Sequence, residues 1–148
     1  MVQFCYMATE ANDLLQKILK DNSYSLTKPR QLVCDLLYGR DPQSMRELVS
    51  SARGHIDRAS LYRTIALFEK LGIVQRIYIG WKYKIELSDI FTHHHHHISC
   101  LKCGKIVAIT EEDKIEQLIA DLTAKHNFTA QNHQLEIRGL CPNCQSTS

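Results

Sequence analysis

Cys100-Leu-Lys-Cys103 and Cys141-Pro-Asn-Cys144 are two C-x-x-C pairs separated by 37 residues. Two residues between thiols let both sulfurs of a pair turn toward one ion. Two such pairs complete the closed tetrahedral set of a structural zinc site. Gly104 after the first pair and Pro142 inside the second suit the sharp turns required. A lone C-x-x-C reads equally well as a redox pair, but two pairs in a reducing compartment favour metal. Cys5 and Cys34 have no such neighbours and read as ordinary thiols.

Five consecutive histidines, His93 to His97, stand three residues before the first cysteine pair. Purification tags sit at termini, and this run is internal. In an extended segment successive side chains point to opposite faces. His94 and His96 then face one way, and His93, His95 and His97 the other, so one run can serve two metal sites. The residues that follow supply candidate partners, Glu116 on the helix and His133 on the strand after it. Imidazoles with a carboxylate suit zinc, and also iron, nickel or manganese. Taken singly, Glu116 reads as a solvated helix carboxylate, and His126 as a surface residue complementing a helix C-terminus. Glu111, Glu112 and Asp113 read in the same way as favourable first-turn acids.

The elements that position these residues follow from periodicity. Leu14, Leu15, Ile18 and Leu19 predict a first amphipathic helix over Glu10–Lys20. Thr27 before Lys28-Pro29 starts a second, carrying Leu32, Val33, Leu36 and Leu37 as far as Gly39. Ser44-Met-Arg-Glu47 predicts a capping box and a short third helix ending by Gly54. A fourth begins after Asp57 or Ser60, buries Leu61, Ile65, Phe68 and Leu71, and stops at Gly72. Strands Ile73–Ile79 and Lys82–Leu87, turning at Gly80-Trp81, complete a winged helix-turn-helix whose fourth helix would enter the major groove. The rest reads as strand Ile106–Ile109, helix Glu112–His126 with a stripe of Ile115, Leu118, Ile119 and Leu122, and strand Phe128–Ile137. The class is α+β. The expected organisation is a winged-helix domain over 1–87, a hinge over 88–92, and a metal-binding α/β dimerisation domain over 93–148.

Charge divides along the same line. Residues 1–84 carry 13 Lys/Arg against 8 Asp/Glu, a balance of +5, and residues 85–148 carry 5 against 8, a balance of −3. A basic front and a His/Cys-rich rear suggest a nucleic-acid module joined to a metal module. No apolar run approaches the roughly 18 residues that would span a membrane. The start, MVQFCYMATEAND, lacks a basic region and an apolar core, so it is a poor signal peptide and the expected address is cytoplasmic.

Four stretches together resemble the ferric uptake regulator family: Leu26-Thr-Lys-Pro-Arg30, Arg58-Ala-Ser-Leu-Tyr-Arg63, the histidine run through Cys103-Gly-Lys105, and Cys141-Pro-Asn-Cys144. The resemblance implies a homodimeric, metal-loaded repressor bound to an inverted-repeat operator in double-stranded DNA, with no small-molecule substrate. It implies structural zinc on Cys100, Cys103, Cys141 and Cys144, and a regulatory site of His94, His96, Glu116 and His133. The position of His96 is commonly aspartate in iron and peroxide sensors, so the unbroken run looks more like the zinc uptake branch, with Fe(II), Ni(II) or Mn(II) as alternative effectors. A further site would use His95, His97 and an acid, Glu86 before Asp89. Here the pattern departs, because the acid often found five residues after Cys103 is Ala108 and the histidine often found before the third helix is absent from Asp41–Gln43. DNA reading transfers to Tyr62 and Arg63, with Arg58, Ser60, Lys28 and Arg30 as phosphate contacts.

The competing class is a zinc-dependent hydrolase or deaminase, which needs an open coordination position and a free general base. The sequence has no H-E-x-x-H, and Cys141-Pro-Asn-Cys144 lacks the upstream H-x-E of the deaminases. A zinc-stabilised interaction module would explain the cysteines but not the winged helix.

Overall fold

In a computed structural model, which describes residues 9–109, 113–131 and 133–146, the chain is α+β and divides into two compact units, 1–93 and 94–148. Cys5, Glu111 and Glu112 lie outside the described residues.

The first unit opens with four helices: α1 (Thr9–Asp21), α2 (Lys28–Leu37), α3 (Met45–Ser51) and α4 (Arg58–Lys70). Their starts are set by local chemistry. Thr27 precedes α2 with Pro29 in its first turn, where a missing N–H costs nothing. Ser44 and Glu47 form the expected capping box, the Ser44 N–H donating to the Glu47 carboxylate at 2.6 Å. Asp57, rather than Ser60, caps α4 by accepting from the Ser60 N–H at 2.8 Å.

After Gly72 the chain forms an antiparallel hairpin, β1 (Val74–Ile79) and β2 (Lys82–Leu87), with Ile79 opposite Lys82 across the two-residue loop Gly80-Trp81. Gly80 has φ +62°, the left-handed conformation that such tight loops demand and that glycine adopts most cheaply. Gln43 exchanges two backbone hydrogen bonds with Ile85, tying the α2–α3 connection to the hairpin. Leu15, Leu19, Leu36, Leu48, Leu61, Phe68, Ile73 and Ile85 are fully buried in one core. Each such side chain contributes about 1.5–3 kcal/mol over its exposed state. Leu71, expected in the buried stripe of α4, packs at the margin of this core.

The second unit contains β3 (His96–Cys100), β4 (Ile106–Ile109), α5 (Asp113–Lys125), β5 (Glu136–Gly139) and the single turn α6 (Pro142–Gln145). The sheet order is β4-β3-β5, antiparallel between β3 and β4 and parallel between β3 and β5. Two sequence expectations are corrected. The strand expected over Phe128–Ile137 is confined to Glu136–Gly139, because β3 is five residues long and offers no ladder to earlier ones. His133 consequently lies in irregular chain before the strand. The stripe on α5 is not buried within a single chain, Leu118 and Leu122 being 58% and 50% exposed. Among the described residues of this unit the only buried apolar side chain is Cys100. A unit so poor in core depends on other sources of stability, such as bound metal or a partner chain.

Candidate metal centres and nucleic-acid interface

The four cysteines come together from the end of β3, the turn after it and both ends of α6. Their sulfurs all lie within 4.8 Å of one another, and Cys103 Sγ is 3.7 Å from Cys141 Sγ. Four thiolates around zinc at about 2.3 Å place their sulfurs about 3.8 Å apart, so the set fits that ion. None is in a disulfide. The backbone completes the nest: Gly104 N–H donates to Cys100 O at 2.9 Å, and Cys141 N–H donates to Cys100 Sγ at 3.3 Å. Such N–H groups, led by that of Cys103, hold the Cys100 thiol down to about 6, whereas hydrogen bonding led by Cys141 pushes Cys144 up to about 12. Zinc bound there would convert all four to thiolates.

The second cluster is built on the alternation of the histidine run. His94 and His96 share a face, α5 brings Glu116, and the segment before β5 brings His133. His96 Nε2 and His133 Nε2 lie 3.1 and 3.0 Å from Glu116 Oε1, and His94 Nε2 lies 3.0 Å from His133 Nε2. Three ring nitrogens and one carboxylate oxygen thus converge on one point. Burial pulls the Glu116 carboxyl upward, but hydrogen bonds from His96 and His133 outweigh it and keep the group below its ordinary value. A divalent cation matches this donor set because it satisfies all four lone pairs at once.

His95 and His97 stand on the opposite face, their rings edge-on at 4.7 Å between centroids. Across the strand pair the position opposite His97 is Ala108, which offers no ligand atom. Glu86, on β2 in the first unit, is buried and accepts from Gln75 Nε2 at 2.7 Å. Cys34, buried in α2, has its thiol pushed up to about 12 by burial, which makes it a core residue of low reactivity. His126 is exposed, as expected of a surface residue.

In the first unit Arg30, Ser60 and Arg63 line one cleft of about 220 Å³ between the starts of α2 and α4, with Thr27 at its edge. Ser60 already has two partners there, donating to Asp57 at 2.6 Å and accepting from Arg63 Nη2 at 3.1 Å. Arg30 lies over the Tyr24 ring and donates to Ser25 O. Arg58 lies over Tyr62 at 5.4 Å, and Tyr62 is 41% exposed. Lys28 does not line the cleft. Sequence reasoning missed Thr27 as a cleft residue, and α6 as the element presenting Cys141 and Cys144.

The model of the ferric uptake regulator family matches residues 21–138. The ferric uptake regulation protein of Vibrio parahaemolyticus is 34% identical over 130 residues, covering 83% of this chain and 85% of its own. The peroxide-responsive repressor of Staphylococcus saprophyticus is 30% identical over 133 residues, 86% of each chain. The solved ferric uptake regulator of Helicobacter pylori, described as having three functional metal-binding sites, superposes with a TM-score of 0.77. It has 25% identity and covers 92% of both chains.

Proposed function

The chain belongs to the ferric uptake regulator family and is a metal-responsive transcription regulator; from that premise we propose that it is a zinc-sensing repressor of metal uptake genes. Regulators of this family bind DNA as dimers and are not enzymes.

The observation that supports zinc is His96. It is 1% exposed, faces Glu116 at 3.1 Å, and occupies the position where the resemblance leads one to expect aspartate in iron and peroxide sensors. The regulatory set of His94, His96, Glu116 and His133 therefore offers three imidazole nitrogens and one carboxylate, a borderline-soft set suited to zinc. The four cysteines hold the structural zinc. The resemblance would also allot a further site to His95, His97 and an acid, for which Glu86 is the sequence candidate, and Ala108 stands where a carboxylate is often found.

The proposed dimer covers the apolar side chains the second unit leaves open, among them Ile98, Val107, Leu118, Leu122 and Ile137. Two copies of α4 then meet an inverted repeat, with Tyr62 and Arg63 at base edges and Arg58, Ser60, Lys28 and Arg30 at phosphates. Such a role belongs in the cytoplasm, and no helix among the described residues is long and apolar enough to cross a membrane. A hydrolytic role is disfavoured because Glu116 stands among the ligands and is not free as a base.

The test is DNA binding by the protein at buffered free zinc, iron(II), manganese(II) and nickel(II), with the cysteine site kept filled. Zinc should switch binding on at the lowest free concentration. Binding switched by iron(II) or manganese(II) but not by zinc at a filled regulatory site would overturn the assignment.

A further inference from the structure

The chain leaves β2 through Ser88, and every polar group of that residue is used. Its N–H donates to Ile73 O at 3.0 Å, and its carbonyl accepts from the Phe91 N–H at 2.9 Å. Its hydroxyl donates to Gly72 O at 2.6 Å, with Ile73 O at 3.2 Å. Gly72 follows the last residue of α4, so the hydroxyl ties the exit of the hairpin to the end of the helix assigned to the major groove. A chain leaving a helix needs outside partners for its carbonyls, and Ser88 supplies one from 16 residues away.

The bond from Phe91 to Ser88 closes a turn whose middle residues, Asp89 and Ile90, are exposed. Phe91 packs against the core of the first unit. The turn is thus held at both ends, by a hydroxyl and by a ring. Beyond it the chain changes character. Thr92 and His93 belong to no helix, strand or turn, and the two compact units divide after His93. Thr92 Oγ1 is shielded from water with no hydrogen-bond partner among the described residues. A hydroxyl in that state costs stability, so the bend at Thr92 has little to hold it.

The next residue, His94, already belongs to the metal cluster, its Nε2 facing His133 Nε2 at 3.0 Å. A metal on His94 fixes the chain on one side of Thr92-His93, and the Ser88 hydroxyl fixes it on the other. Each free residue adds two soft backbone dihedrals, and a joint with many of them absorbs a displacement that a short one passes on. Released from Gly72, the slack would extend back to the end of β2.

We propose that Ser88 is a positioning residue for the coupling of metal to DNA binding: its hydroxyl clasps residues 88–91 to the end of α4, so that this turn moves with the DNA-reading unit and the joint is confined to Thr92 and His93. The inference rests on the regulatory-site and DNA-binding readings above and adds to them the residue that keeps the connection between them short.

The probes are zinc, a duplex of about 30 base pairs, roughly three helical turns, selected from a random library by the zinc-loaded full chain, and a shuffled duplex of equal composition. The quantity read is the factor by which zinc tightens binding of the selected duplex, with the cysteine site filled throughout. Ser88→Ala should lower that factor by about five-fold or more while zinc affinity without DNA stays unchanged. Ser88→Thr, which keeps the hydroxyl, should restore most of it. A merely structural loss would weaken binding with and without zinc alike and leave the factor as it was, which overturns the inference and leaves the regulator reading intact. Hydrogen exchange in the unaltered protein is a second readout that needs no variant. The Ser88 and Phe91 amides should exchange as slowly as that of Ile73, which donates to Phe68 O at 2.8 Å in the core. Exchange of both at the rate of open chain overturns the clasp whatever the DNA does. Zinc that fails to tighten binding by the unaltered protein overturns this inference and the regulator reading together.

Discussion

His94 Nε2 and His133 Nε2, 39 residues apart in the chain, face each other at 3.0 Å. Two apposed ring nitrogens can share at most one proton between them, and the Glu116 carboxylate lies 3.0 Å from one and 3.5 Å from the other. Ring nitrogens that converge in this way gain from a cation and have little to gain from each other. The arrangement is pre-organised for metal, which reduces the ordering cost of binding.

The first prediction follows from that convergence. His133→Ala or His96→Ala should raise the free zinc needed for DNA binding by roughly ten-fold or more, the scale of losing one good interaction. The cysteine-bound zinc and the melting curve of the first unit should not change. Zinc titration of DNA binding, with metal content measured separately, checks both. Identical zinc dependence in the two variants would remove these residues from the regulatory site.

Cys141→Ser should act differently. Among its described residues the second unit has almost no buried apolar side chain of its own, so zinc on the four sulfurs should contribute directly to its folding. The variant should lose one tightly held zinc per chain and sediment as a monomer. Chelation of the unaltered protein should reproduce both effects. A stable dimer retaining its full zinc content would show that the cysteines are not the structural ligands.

The capping box on α3 gives a prediction with a pH sign. Hydrogen bonds from the Ser44 N–H and hydroxyl, with a smaller contribution from Lys84, hold the Glu47 carboxyl below its ordinary value despite partial burial. A carboxyl lowered in the folded state stabilises above its unfolded pKa, and the contribution disappears as pH falls through the folded value. Glu47→Gln should therefore cost stability near neutral pH and converge with the parent protein in acid. Ser44→Ala should cost about 0.5–2 kcal/mol. Denaturant unfolding at several pH values measures the gap, and a gap that widened in acid would contradict the cap.

How far the sequence carried this structure depended on how local each signal was. The cysteine pairs, the Ser44–Glu47 box and the hairpin about Gly80 involve neighbours in sequence, and all formed where spacing put them. His94 and His96 do come together with Glu116 and His133, although β3 begins only at His96. Non-local quantities were harder to read. The apolar residues of Phe128–Ile137 suggested a long strand, but only Glu136–Gly139 finds a partner in β3. The stripe on α5 was legible as a pattern, yet Leu118 and Leu122 stay open within one chain, since periodicity does not say whether the covering surface is intramolecular. The turn α6 was missed because four residues are too few to show a helical period.

The last prediction separates base reading from phosphate holding in the first unit. Arg63 starts from a committed position, its Nη2 3.1 Å from Ser60 Oγ in a cleft shared with Arg30. A guanidinium near the start of α4 can grip guanine in bidentate fashion, so Arg63→Ala should weaken specific binding by about 1–3 kcal/mol and relax preference at one base position. Lys28 lies outside that cleft and would act as a point charge. Lys28→Ala should weaken all sequences alike and flatten the salt dependence. In a symmetric dimer either change acts twice per operator, once in each half-site. Metal acts through the population of the arrangement that fits both half-sites, and by linkage DNA must tighten metal binding by the factor that metal tightens DNA binding. Titrating both variants on selected and shuffled duplexes at several salt concentrations, with and without zinc, measures all of these quantities. Unaltered sequence preference in Arg63→Ala would remove it from base reading, and equal zinc affinity with and without the duplex would remove the coupling.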